Sequence, residues 1–187
     1  MKHVNIKNIP YLPDRKIYVI IESMFYGKIF KALSKARVKY VIAGGVAVVL
    51  HGYRRTTDDL DLYVLLEEKN LGRFFDALSS AGYSPKAPVT KEQFKSANER
   101  AKWKKEKGMV VFSFVENDPP FKLIDMFVNE PIKFTEVYKK KTNVKLEGVT
   151  VPTISIDHLI QLKKQAGRDR DKNDILNLKE IKRISKQ

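Results

Sequence analysis

From residue 59 to residue 66 the chain alternates, with Leu60, Leu62, Val64 and Leu66 interleaving with Asp59, Asp61, Tyr63 and Leu65. Successive side chains of a strand point to opposite faces, so this segment reads as a strand with one face in a core. Asp59 and Asp61 then stand side by side on the other face. Two adjacent carboxylates repel each other and are costly to keep together unless a cation lies between them. Such a chain needs a sheet beneath the pair and positive charge above it. The plainer alternative is a solvated strand face whose acids pair with Arg54 or Arg55.

A third carboxylate points the same way. Asp125 interrupts the apolar run Leu123-Ile124-Asp125-Met126-Phe127, where a charge is expensive unless it is used or paired. Magnesium prefers oxygen ligands and shares them with substrate phosphates. A carboxylate-held metal site can clamp the attacking and leaving oxygens of an in-line phosphoryl displacement. Upstream, Gly44-Gly45 separates the short apolar strand Val38–Ala43 from a helix over Val46–His51. Glycine lets backbone approach a phosphate closely, and a helix start offers unpaired N–H groups. An ordinary tight turn is the other reading of that pair. Arg55 and Thr57, just before the acidic strand, are placed to bind phosphate or to hold the carboxylates.

The remaining periodicities set the architecture. Apolar residues at helical spacing predict a helix over Asp14–Ala36. A helix over Glu67–Ala81 ends at Gly82, and Pro85 and Pro88 make Ser84–Thr90 a loop. One basic helix is expected over Lys91–Lys107. Strands follow at Met109–Val115 and Phe121–Val128, then a helix at Phe134–Lys141. Glu147-Gly148 turns a hairpin between Val144–Leu146 and Val149–Val151. Ser155 caps a helix running to Ala166, Gly167 ends it, and a last helix covers Lys172–Ile184. This order predicts an α/β or α+β fold, a small mixed sheet flanked by helices. We expect a single domain over residues 1–187, with an N-terminal arm and helix (1–36), a sheet core (37–152) and C-terminal helices (153–187).

Composition narrows the chemistry. There is no cysteine and there are three histidines, which speaks against disulfides and zinc. His51 reads as a satisfied histidine at a helix end. No Gly-Lys-Ser or Gly-Lys-Thr phosphate loop is present. No signal peptide or membrane-length apolar run is seen, so a cytoplasmic protein without membrane contact is expected. The formal net charge of +14 favours a polyanionic partner. The predicted basic helix concentrates it in Lys91, Lys95, Arg100, Lys102, Lys104, Lys105 and Lys107, with Lys86 just ahead. Trp103 stands among them, either to stack on a base or to pack inward. Lys139, Lys140, Lys141 and Lys145 form a second basic set. Arg168, Asp171 and Asp174 suggest a salt-bridged turn before the last helix.

The string Val41-Ile42-Ala43-Gly44-Gly45, thirteen residues, then Asp59-Leu60-Asp61-Leu62 resembles the nucleotidyltransferase superfamily that includes DNA polymerase β. The fuller string Gly44-Gly45-Val46-Ala47, then His51-Gly52-Tyr53-Arg54-Arg55-Thr56-Thr57-Asp58-Asp59, is similar to its AbiEii-type toxin branch and related bacterial and archaeal proteins. The likeness runs on through Trp103–Phe114, Asp125, Val149–Pro152 and Leu159–Ile175. It implies magnesium or manganese held by Asp59 and Asp61 with Asp125 as third carboxylate and general base. It implies a nucleoside triphosphate (NTP) gripped at Gly44-Gly45, with Arg55, Thr57 and Lys163 against the phosphates and pyrophosphate leaving. The acceptor expected is RNA, tRNA included, in a toxin-like enzyme with an antitoxin protein as a possible partner. Nucleotidyl transfer to a small molecule and a catalytically silent nucleic-acid- or protein-binding module are the alternatives.

Overall fold

The computed structural model describes residues 26–146 and 149–185. Along the chain run α1 (Gly27–Lys35), β1 (Tyr40–Ile42), α2 (Gly44–Leu50), β2 (Asp59–Val64), α3 (Glu68–Ser80), β3 (Tyr83–Pro85), α4 (Lys91–Lys95) and α5 (Ala97–Lys107). They are followed by β4 (Val111–Glu116), β5 (Leu123–Phe127), α6 (Phe134–Lys139), β6 (Thr142–Leu146), β7 (Val149–Thr153), α7 (Ile156–Ala166) and α8 (Asp169–Ile184). The seven strands form one mixed sheet in the order β3-β4-β5-β2-β1-β7-β6, the expected sheet flanked by helices.

The sheet's register places the acids. β2 runs parallel to β5, with Asp59 opposite Leu123 and Asp61 opposite Asp125. Paired residues share a face, so Asp125 joins Asp59 and Asp61 on one side. Leu60, Leu62, Ile124 and Met126 point the other way and are fully buried. β1 lies antiparallel on the other flank of β2, pairing Ile42 with Leu62. The Ala43 N–H carries that ladder one step further, donating to the Asp61 carbonyl at 2.9 Å. Gly44 therefore begins beside Asp61.

Three segments depart from expectation. The basic helix is two helices, because Ser96 is extended (φ −66°, ψ 121°) and its hydroxyl caps the second by accepting from the Glu99 N–H. Thr90 and Gln93 close a capping box on the first. Residues 83–85, mostly assigned to a loop, instead pair antiparallel with β4, and Pro85 is tolerated because β3 is an edge strand. The last helix begins at Asp169 rather than Lys172. Of the predicted first helix, Gly27–Lys35 is observed, while Asp14–Phe25 and the hairpin turn Glu147-Gly148 lie outside the described residues. Among the described residues, no helix is long and apolar enough to cross a membrane.

Candidate active site

Asp59, Asp61 and Asp125 each offer a carboxylate oxygen, and these oxygens lie within 4.8 Å of one another. All three residues are half-buried. Burial, then the charges of Asp59 and Asp125, push the Asp61 carboxyl up to about 7, against the pull of a hydrogen bond from the Gly45 N–H and of Arg168. Asp125 is also raised, first by burial and then by Asp59, while a hydrogen bond from Ser113 and the charge of Lys86 oppose the rise. Its Oδ1 is buried and has no hydrogen-bond partner among the described residues. An all-oxygen set with crowded like charge and an orphaned buried oxygen fits a hard divalent cation. Asp59, Asp61 and Asp125 would hold it.

The two glycines are explained by the chain itself. Gly44 has φ +55°, and a Cβ there would lie 1.6 Å from Asp61 Oδ2. A Cβ on Gly45 would lie 2.3 Å from Thr57 Oγ1 and 3.3 Å from Arg55 Cζ. The missing side chains thus make room for the Asp61 carboxylate, the Thr57 hydroxyl and the Arg55 guanidinium. Thr57 in turn donates its hydroxyl to Asp59 Oδ1 at 3.0 Å, so it orients that carboxylate.

Arg55 does not pair with the acidic strand. Its Nη1 donates to Asp174 Oδ2 at 2.6 Å, and its Nε to the Thr56 carbonyl at 3.0 Å. Lys163, expected against the triphosphate, is 4% exposed, and its ammonium donates to Asp171 Oδ1 at 2.8 Å and Asp174 Oδ2 at 2.7 Å. Its charge is spent inside the protein, while Lys164 faces out. Arg168 completes the row, donating Nε to Asp171 Oδ2 at 2.8 Å and Nη2 to Oδ1 at 3.4 Å, as the expected salt-bridged turn. The Asp171 hydrogen bond holds the Arg168 pKa above its ordinary value, and the charges of Asp61 and Asp59 add to it. Sequence reasoning missed that electrostatic link between Arg168 and the acidic strand, and no local signal carries it.

Three other singled-out residues have structural roles. His51 Nε2 lies 2.7 Å from the Ile154 carbonyl, and burial lowers its pKa, so it is a neutral structural histidine. Trp103 packs inward against Phe112, with ring centroids 5.3 Å apart, and is not a platform for a base. Arg100 is buried too, donating to the Phe94 and Lys95 carbonyls at 2.9 and 2.6 Å. The exposed cations of α5 are Lys102, Lys104, Lys105 and Lys107.

The fold recurs in solved structures. The lincosamide antibiotic adenylyltransferase LnuA, lincomycin-bound, aligns with a TM-score of 0.53 at 16% identity over 90% of this chain and 98% of its own. An antigenic nucleotidyltransferase-like protein from Paracoccidioides brasiliensis aligns with a TM-score of 0.53 at 15% identity, covering 89% and 77%. ANT(2″)-Ia in complex with adenylyl-2″-tobramycin aligns with a TM-score of 0.52 at 14% identity, covering 88% of both chains. At such identities the likeness establishes the fold alone. No curated protein matches the chain in sequence. A family model for nucleotidyl transferases of unknown function (DUF2204) matches residues 22–187, and with three convergent carboxylates on this sheet the chain belongs to that family and is a nucleotidyltransferase.

Proposed function

We propose that the protein transfers a nucleoside monophosphate from an NTP to a hydroxyl of RNA, with magnesium or manganese held by Asp59, Asp61 and Asp125. The observation that carries this is the convergence of those three carboxylates within 4.8 Å on one face of β2 and β5. The acceptor oxygen attacks the α-phosphorus, the bond from that phosphorus to the β-phosphate's bridging oxygen breaks, and pyrophosphate leaves with the electron pair. A divalent cation bound at the carboxylates supplies charge neutralisation on the triphosphate. Asp125 takes the proton of the acceptor hydroxyl, a role that its buried, unpartnered Oδ1 and raised pKa suit. Thr57 fixes Asp59, and the Gly45 N–H fixes Asp61.

The net charge of +14 supports a polyanionic acceptor. Lys86 acts electrostatically on Asp125, on the sheet flank opposite Gly44-Gly45, where an acceptor would enter. The string from His51 to Asp61 supports a toxin-like role, for which an antitoxin protein is the fitting partner. A second reading is transfer to a small molecule, favoured by the structural likeness to enzymes that adenylylate antibiotics.

The deciding experiment incubates the protein with each labelled triphosphate, magnesium and total RNA, beside an Asp59→Ala/Asp61→Ala variant. Label on RNA with the intact protein alone is the expected result. Label confined to a small acceptor replaces RNA with the second reading. Label nowhere, on RNA, protein or small acceptors, refutes transfer.

A further inference from the structure

Five charged residues form a row from the surface through the interior beside the acidic strand. Lys163, Asp171 and Asp174 are its buried middle, with side-chain exposures of 4%, 1% and 4%. Arg55 (19% exposed) and Arg168 (52% exposed) are its ends. Each buried carboxylate receives one arginine and shares the single ammonium, so Asp174 holds Arg55 and Asp171 holds Arg168. With three cations and two anions, the row carries one net positive charge.

The two ends are linked to the acidic strand, Arg55 by position and Arg168 by charge. Arg55 Cζ sits beside Gly45, whose N–H serves Asp61. Arg168 interacts electrostatically with Asp61 and Asp59. A guanidinium is permanently charged and forked to match phosphate oxygens, and its value rises when its rotamer is fixed before the ligand arrives.

We propose that Arg168 joins Arg55, which the family resemblance already sets against the phosphates, in a clamp for the triphosphate and the departing pyrophosphate, and that Lys163, Asp171 and Asp174 are positioning residues that lock the two guanidiniums in place. This deepens the nucleotidyl-transfer reading and rests on it. Lys163 acts only through the carboxylates it bridges. As the bond from the α-phosphorus to its leaving oxygen breaks, negative charge grows on pyrophosphate, and the two guanidiniums stand ready to offset it.

The test uses the full chain and inorganic tripolyphosphate with magnesium, its Kd measured by calorimetry. Arg55→Gln and Arg168→Gln are each expected to weaken Kd by at least about tenfold, the loss of one charged hydrogen-bonding partner. Manganese binding without tripolyphosphate should not weaken in either variant, since each substitution removes a positive charge. Asp174→Asn should weaken Kd like Arg55→Gln, and the double variant should be no weaker than Arg55→Gln alone. In turnover the KM for NTP should rise while the KM for the acceptor does not. If Asp174→Asn does not fold, the two partly exposed arginine variants decide alone. Unweakened tripolyphosphate binding in both of them, additive losses in the double variant, or a wild type that does not bind tripolyphosphate would each overturn the clamp. A wild type that grips tripolyphosphate through both arginines yet transfers no nucleotide leaves the clamp standing and removes the transfer reading. Transfer with unchanged KM for NTP in both arginine variants does the reverse.

Discussion

Asp61 ties the protein's chemistry to its stability. Burial, with Asp59 and Asp125 alongside, pushes its carboxyl from the ordinary 3.8 up to about 7. A folded-state pKa raised in this way stabilises the protein fully below the unfolded value, and that stability is lost as pH rises through the folded value. With chelator present, thermal stability should therefore fall as pH rises from about 4 to about 7. Manganese should restore it, more strongly at the higher pH, because ligands must be deprotonated to bind. Asp61→Asn should abolish much of that slope. A slope unchanged by the substitution would contradict the assignment.

Gly44 gives a second prediction at this scale. Gly44→Ala places a methyl group where Asp61 Oδ2 now sits, whereas Gly108, also at positive φ (+60°), has nothing within 4 Å of the same position. Both alanines should lose about 1–2 kcal/mol from left-handed strain, seen in denaturant unfolding, and Gly44→Ala more, because its methyl group overlaps the Asp61 side chain. Only Gly44→Ala should also lose nucleotidyl transfer, by more than about tenfold, since a 1 Å misplacement at a site can cost about a hundredfold. The three aspartates were legible in the sequence because their constraint is local: a period of two for Asp59 and Asp61, and a charge inside an apolar run for Asp125. The packing around the glycines was not, because the atoms that fill their space arrive from Asp61, Thr57 and Arg55 through tertiary packing.

Among the elements, α7 and α8 matter most for what they hide. Lys163 and Lys164 are adjacent in one helix, and periodicity alone does not say which faces inward. The answer depends on α8, which brings Asp171 and Asp174 to one of them. Lys163→Met should destabilise the protein by about 3 kcal/mol, since it removes the buried cation that Asp171 and Asp174 share and leaves each with its arginine alone. Lys164→Met, on the exposed face, should stay within about 0.5 kcal/mol. Equal losses in denaturant unfolding would contradict the buried bridge. The same dependence on neighbours explains the misread edge strand, where Pro85 looks like a loop residue until β4 is beside it. The break at Ser96 was readable in principle, since Thr90 with Gln93 and Ser96 with Glu99 are two successive capping patterns.

At the scale of the molecule, the sheet sets different residues on the two flanks of its acidic strand. On one flank of the acidic strand lie Gly44-Gly45 and Arg55; on the other lie β5, β4 and Lys86. If RNA enters on the second flank, its KM should rise steeply with salt as counterion release is lost, with a log–log slope of about 0.7 per phosphate contacted. The KM for NTP should respond more weakly. A flat RNA response would argue for a small acceptor. The sheet and its flanking helices were readable from strand and helix periodicities, and the net charge is a property of the sequence alone. The strand order was not readable, because β2 meets β5 only after the chain has passed through α3, β3, α4, α5 and β4.

The row from Arg55 to Arg168 also has a temporal side. Asp59, Asp61 and Asp125 are translated well before Asp171 and Asp174, which seat the arginines. A chain still emerging from the ribosome thus owns its three acids and Arg55 before the carboxylate that anchors that arginine exists.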